Sequence, residues 1–172
     1  MKLYGELAPW FHLLTAPADY AEEAAIYANL ITANAPGDVT TVLELGSGGG
    51  NNASHYKRRF VPTLVDLSPE MLRLSSSINP DLEHIQGDMR SVRLGQTFDA
   101  VFIHDAVSYM TSEGDLAAAI ATAHAHLDAG GVVLIVPDHV LETFAPGTGH
   151  GGHDDGVNGL RYLLRGLRCR GG

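Results

Sequence analysis

Apolar and polar residues fall in alternating blocks along this chain. Val39 to Leu45 is an apolar run, Asn52 to Arg59 is mixed and reads as a short helix, and Thr63 to Asp66 is apolar again. Ser68-Pro69-Glu70 opens a helix, with serine as the cap and proline in the first turn. Leu82 to Gln86 reads as a third strand and Ala100 to His104 as a fourth. Ser112-x-x-Asp115 caps an alanine-rich helix ending near Leu127. Asp128-Ala129-Gly130-Gly131 reads as a turn and Val132 to Val136 as a fifth strand. The runs Val101-Phe102-Ile103 and Val132 to Val136 lack every-other-residue alternation, as expected of strands covered on both faces. Strands alternating with helices predict an α/β fold with a Rossmann-like, doubly wound parallel sheet of about five strands.

The two ends read differently. Tyr4 to Leu14 is aromatic and apolar and predicts a short helix lying over the body. Asp19-Tyr20-Ala21-Glu22 predicts a helix start, with Asp19 as cap and Glu22 reaching back. That helix runs to about Asn34, with Ala24, Ala28 and Ile31 on one face, and Pro36-Gly37 stops it. Gly147 to Gly159 reads as a glycine- and histidine-rich loop. Beyond it, Leu160, Leu163, Leu164 and Leu167 recur at helical spacing with arginines opposite, so a short amphipathic helix is predicted, weakened by Gly166. The division is one domain over 1–172: a helical lid over 1–37, a ligand-binding core over 38–137, and a loop with a short helix over 138–172.

Composition narrows the partners. With 172 residues the chain suits one domain that buries most of its apolar surface. Eleven Lys and Arg stand against 20 Asp and Glu, a net charge of −9. That field repels phosphate backbones and argues against a nucleic-acid partner. The single cysteine, Cys169, cannot close an intrachain disulfide. The segment Met1 to Glu6 lacks the apolar centre of a signal peptide, and no run is long enough to cross a bilayer. A cytoplasmic location without a membrane partner is the expectation.

The chemistry concentrates after the first strand. Glu44-Leu45-Gly46-Ser47-Gly48-Gly49-Gly50-Asn51 carries an acid into a glycine-rich turn. Glycines there let a ligand approach the backbone, and the following helix turn offers free N–H groups. Such turns also arise for steric reasons alone. Asp66 ends the second strand about twenty residues on, where an acid can accept hydrogen bonds from ribose hydroxyls. The alternative, a helix-capping Asp66, is weakened because Ser68 already fills the cap. A dinucleotide site requires Gly-x-Gly-x-x-Gly, but Asn51 stands at the last glycine. Glu44 would also repel a pyrophosphate, whereas it suits a ligand carrying a sulfonium and an ammonium. A nucleotide-dependent oxidoreductase is therefore disfavoured.

These residues resemble the first motif of class I S-adenosylmethionine-dependent methyltransferases. Gln86-Gly87-Asp88-Met89, Phe98 to Asp105 and Asp128 to Leu134 resemble that family's later motifs in order, and the match covers Val39 to Pro137. Within the family, Asp19-Tyr20-Ala21-Glu22-Glu23-Ala24 and Gln86-Gly87-Asp88-Met89-Arg90 look like those of small-molecule and amino-sugar N-methyltransferases. The resemblance implies S-adenosylmethionine as cofactor. It assigns contacts to Phe11, Tyr20, Glu44, Gly46, Ser47, Gly48, Asn51, Asp66, Leu67, Asp88, Met89 and His104. Asp88 would take the adenine amino group, and Trp10, Phe11 and Tyr20 would belong to a lid over the methionine end.

The implied reaction is in-line displacement onto a small-molecule acceptor. His104, Asp105 and His139 are the candidate bases at strand ends, each of which also reads as pocket wall; His139 is preferred. His150, His153, Asp154 and Asp155 fit no metal-ligand spacing and read as a solvated loop, so no metal is assigned. The family usually continues with an antiparallel strand pair that this chain has no room for, so the chain reads as C-terminally truncated. Either the C-terminal segment or a second copy, making a homodimer, is then expected to cover the edge at Val132 to Val136. The competing reading is a cofactor-binding or assembly protein that keeps the fold with little turnover.

Overall fold

The computed structural model describes residues 2–140, 142, 144–154 and 156–166. Its centre is five parallel strands: β1 (Thr41–Leu45), β2 (Val61–Asp66), β3 (Glu83–Gln86), β4 (Phe98–Ile103) and β5 (Leu127–Ile135). They lie in the order β3-β2-β1-β4-β5. The chain therefore builds outward from β1 in one direction and then from β4 in the other. The carboxyl ends of β1 and β4 part at that reversal, which leaves a crevice. Asp99 sets the register at the opposite end: its Oδ2 accepts from Thr40 N, Thr41 N and Thr41 Oγ1 at 2.8–2.9 Å.

Helices cover both faces. On one, Ala28 and Ile31 of α2 (Ala21–Asn34) and Ala53 and Tyr56 of α3 (Asn51–Tyr56) pack on Val42, Leu64, Ala100 and Phe102. On the other, Ala123 of α5 (Glu113–Ala125) packs with Leu43, Leu45, Val101 and Ile103. Successive strand residues serve opposite faces, so Glu44 falls on the Val42 side, toward Tyr56. The helix α4 (Pro69–Ile78) starts as its sequence predicts, with Ser68 Oγ accepting from Met71 N at 3.1 Å. Ser112 caps α5 in the same way through Asp115 N.

Several local readings are corrected. Tyr4 to Leu14 is not one helix. Gly5 and Pro9 divide it into 3₁₀ turns at Lys2–Tyr4 and Ala8–Trp10, followed by one α turn, α1 (Phe11–Leu14). Asp19 does not cap α2; Pro17 begins a 3₁₀ turn that contains Asp19 and leads directly into the helix, whose first residue follows Tyr20 with no side-chain cap. Asp128 to Gly131 is part of β5 rather than a turn, with the ladder to β4 shifting register there and Gly130 at φ +85°.

The C-terminal segment differs most. The expected loop and amphipathic helix are an antiparallel hairpin, β6 (Gly147–Asp154) and β7 (Gly159–Gly166). Glycines explain the outcome. A Cβ on Gly151 would sit 2.4 Å from the Tyr162 hydroxyl and one on Gly152 2.4 Å from Arg161 Cδ, so the bare strand makes room for its partner's side chains. Gly159 and Gly166 also bracket the leucine run with helix-weakening residues. His150, His153 and Asp154 lie on β6, while Asp155 and residues 167–172 lie outside the described residues. Among the described residues the hairpin is a separate two-stranded sheet that contacts α1 and pairs with no strand of the five-stranded sheet.

Gly50, the residue before α3, has φ +73°, and a Cβ there would lie 2.1 Å from Ser75 Oγ and 2.6 Å from Asn79 Nδ2. Gly50→Ala is expected to cost about 1–3 kcal/mol, read as a lower urea midpoint with an unchanged slope.

Candidate functional site

The crevice at the carboxyl ends of β1 and β4 is a cavity of about 630 Å³, within the size range of small-ligand sites. All twelve residues assigned to a cofactor line it. Glu44 comes from β1, Gly46, Ser47 and Gly48 from the loop after it, Asn51 from the start of α3, Asp66 from the end of β2 and Leu67 from the loop that follows. Asp88 and Met89 come from the loop after β3, His104 from the end of β4, and Phe11 and Tyr20 from the N-terminal segment. Asp105 lines the cavity as well. His139, the preferred base, does not; its ring packs edge-on to Phe144 at 5.6 Å, beyond the wall. Trp10 also stays outside and lies in a groove with Leu13 and Asn158.

The loops are held by backbone geometry. Asp66 Oδ2 accepts from Gly48 N and Oδ1 from Ser68 N, both at 2.8 Å, so one side chain joins the first two loops. Each oxygen keeps a lone pair for a ligand hydroxyl. Gly46 packs so closely that a Cβ would lie 2.3 Å from Ala106 Cβ and 2.8 Å from Met89 Cε. A Cβ on Gly49 would be 3.0 Å from the Phe11 ring. The N-terminal segment closes one side: Ser68 Oγ donates to Tyr4 O, and the Tyr4 and Tyr109 hydroxyls are 2.5 Å apart. Tyr4, Tyr109, Asn52 and Arg90 are wall residues that the sequence reading missed. The spacing of Tyr4 and Tyr109, 105 residues apart, carries no signal of their meeting.

The three acids meet at one cavity but differ in charge. Glu44 is 3% exposed and accepts from the Tyr56 hydroxyl. Burial pushes its pKa up to about 8, against the lowering effect of Tyr56 and with a further rise from nearby Asp66. Burial also raises Asp66, opposed by its backbone N–H donors. Asp88 moves the other way, lowered first by Arg90, whose guanidinium binds both its oxygens at 2.6–3.1 Å and reaches Asp115 at 2.8 Å. Burial thus favours the protonated form of Glu44, and a cation facing it would favour the carboxylate.

The buried polar atoms fit a polar cationic ligand. Ser47 Oγ and Asn52 Oδ1 have no hydrogen-bond partner among the described residues, and both side chains belong to the cavity wall. Among those residues no group of three or more His, Cys, Asp or Glu is placed to hold a metal, and no helix is long and apolar enough to cross a membrane.

Because the folded state holds the Glu44 proton more tightly than the unfolded chain, this group's stabilising contribution is present at low pH. It is lost as pH rises through about 8. Thermal scans between pH 5.5 and 9 should show ligand-free wild type losing melting temperature toward the alkaline end, with a flatter profile for Glu44→Gln.

Comparison with known proteins agrees with this arrangement. Residues 42–131 match the methyltransferase-domain family. The chain is 37% identical, over 131 residues, to the dTDP-3-amino-3,4,6-trideoxy-α-D-glucopyranose N,N-dimethyltransferase of Streptomyces venezuelae; this covers 75% of the chain and 55% of that enzyme. It is 31% identical, over 147 residues, to the dTDP-3-amino-3,6-dideoxy-α-D-glucopyranose N,N-dimethyltransferase of Streptomyces fradiae, covering 83% of the chain and 57% of that enzyme. The fold superposes on the crystal structure of Streptomyces venezuelae DesVI with a TM-score of 0.81 and 32% identity, over 88% of this chain and 65% of that one. An amino pentose methyltransferase from Micromonospora echinaspora, solved with S-adenosylmethionine bound, gives 0.78 and 32% over the same shares. The chain spans little more than half the length of the curated relatives it matches. With its motifs in order, its sheet in this topology and the family match spanning more than half its residues, the chain belongs to the class I methyltransferases.

Proposed function

We propose that the protein transfers a methyl group from S-adenosylmethionine to the amino group of a small-molecule acceptor of the amino-sugar class. The observation that carries this reading is the meeting of Glu44, Asp66 and Asp88 with Phe11 and Tyr20 around one cavity at the sheet's switch point. The names of two curated relatives, dTDP-amino-sugar N,N-dimethyltransferases at 37% and 31% identity, support the acceptor class.

When bound, the cofactor supplies an electrophilic methyl group on a positively charged sulfur. The remaining work belongs to the chain. Asp66 accepts from ribose hydroxyls with the lone pairs that Gly48 and Ser68 leave free. Glu44 loses its proton to face an ammonium, and Tyr56 holds the resulting carboxylate. Asp88, already oriented by Arg90, offers its remaining acceptor capacity to an adenine amino group. Phe11, Tyr4 and Tyr20 shield the methionine end from water. Holding the reactants in line contributes several kcal/mol by orientation alone, about 7–11 at the upper limit. The proposal includes a cytoplasmic setting and two chains meeting along the free edge of β5. It includes neither nucleic acid nor membrane as partner, in keeping with the net charge of −9.

Calorimetry with S-adenosylmethionine, S-adenosylhomocysteine and NAD tests the cofactor. Binding of the first two and not the third is expected, and NAD binding alone would overturn the reading. Asp66→Ala should weaken S-adenosylhomocysteine by about 1.5–3 kcal/mol, roughly 10- to 150-fold. Formation of S-adenosylhomocysteine with dTDP-amino sugars tests turnover, and a binding-competent protein without product would favour the assembly role instead.

A further inference from the structure

Away from the adenosyl side, α2, α3, the end of β4 and the segment after β5 bring a second polar group together. Asn52 Nδ2 donates to Glu23 Oε1 at 3.0 Å and lies 3.3 Å from His104 Nδ1. A carboxylate only accepts, so the amide nitrogen rather than its oxygen faces both neighbours. His104 Nδ1 is therefore an acceptor, and the ring proton sits on Nε2. That N–H faces Asp105 Oδ1 and the Tyr27 hydroxyl, each 3.1 Å away. With one nitrogen occupied and the other protonated, His104 has no lone pair for an incoming proton. Burial keeps its pKa below the usual value, in the same sense. It is a positioning residue for Asp105.

Asp105 is differently placed. It is half-exposed in the cavity wall, 3.1 Å from His104 Nε2, and the negative charge of Asp138, just after β5, acts on it. A like charge nearby disfavours the ionised form of a carboxyl group. Glu23 adds a further negative charge from α2, with its Oε1 3.6 Å from His104 Nε2. Among the described residues no Lys or Arg forms an ion pair with any of these carboxylates. Burial, then Asp138, pushes Asp105 up to about 7. Beside them Asn52, 4% exposed and part of the same wall, keeps an Oδ1 acceptor without a donor.

We propose that Asp105, in the cavity wall beside His104, is the site that recognises the acceptor's ammonium and removes its proton. The inference rests on the amine-methylation reading above. Acid groups that repel one another, beside an unsatisfied acceptor, attract a cation with N–H donors. Asp105 takes one proton from the ammonium and frees the nitrogen lone pair. That pair forms the N–C bond to the methyl carbon as the C–S bond breaks, and the C–S electrons stay on sulfur. A hydroxyl acceptor brings no charge to relieve the repulsion, so amines are selected over alcohols.

The test separates recognition from turnover. With S-adenosylhomocysteine saturating, calorimetry compares dTDP-3-amino-3,6-dideoxyglucose with its hydroxyl counterpart, dTDP-6-deoxyglucose. Wild type should bind the amine at least about tenfold tighter. Asp105→Asn should erase that difference while keeping S-adenosylhomocysteine affinity within about twofold. In turnover, Asp105→Asn should lower kcat by about 10²- to 10⁴-fold. Asp138→Asn should move the acid limb of kcat/KM to lower pH, since it removes the charge that raises Asp105. Equal binding of the two sugars by wild type, absence of binding included, overturns the proposal. So does an Asp105→Asn enzyme with normal kcat and an unchanged acid limb. A wild type that selects the amine through Asp105 yet forms no product overturns the methyl-transfer reading instead and leaves the ammonium site standing.

Discussion

In-register parallel pairing of β1 with β2 and β4 is the constraint on which the site depends. Parallel strands all end at the same edge, so the polar residue that closes each apolar run is delivered to one place. Asp99 contributes from the far end of the sheet by tying the start of β4 to the start of β1. A one-residue slip would turn Glu44 away from Tyr56 and exchange the two core faces. The buried strands thus determine where the carboxylates stand before any ligand arrives.

Burial then assigns a different state to each acid. Asp88 lies beside a guanidinium and stays ionised, and Asp66 is held by backbone N–H groups against the cost of burial. Glu44 has one hydroxyl donor and, among the described residues, no ion-pair partner, so burial favours its protonated form. A cationic ligand reverses that balance because it supplies the opposite charge that the fold omits. Ligand binding and deprotonation at Glu44 are linked for this reason.

On the acceptor side, a single amide decides the chemistry. Asn52 Nδ2 lies against His104 Nδ1, and Asp105 Oδ1 lies 3.1 Å from the other ring nitrogen. The histidine that looks like a base by residue type is thereby a donor, and the carboxylate beside it is left to accept. His139 lies after the right strand, but it turns toward Phe144 instead of the cavity.

The strand and helix order, both serine caps, the glycine loop and the convergence of the twelve named residues on one cavity were legible in the chain, because apolar runs and turn residues are local signals. Three kinds of feature were decided only by the tertiary structure. The hairpin at 147–166 depends on bare glycines facing Tyr162 and Arg161, a pairing that leucine spacing in one strand cannot reveal. The Tyr4–Tyr109 contact joins segments 105 residues apart. The protonation of Glu44 and the roles of His104 and Asp105 depend on burial and on Tyr56, Asn52 and Asp138. Residue type names the groups that can ionise, but the surrounding dielectric and hydrogen bonds, which exist only after folding, set which of them do.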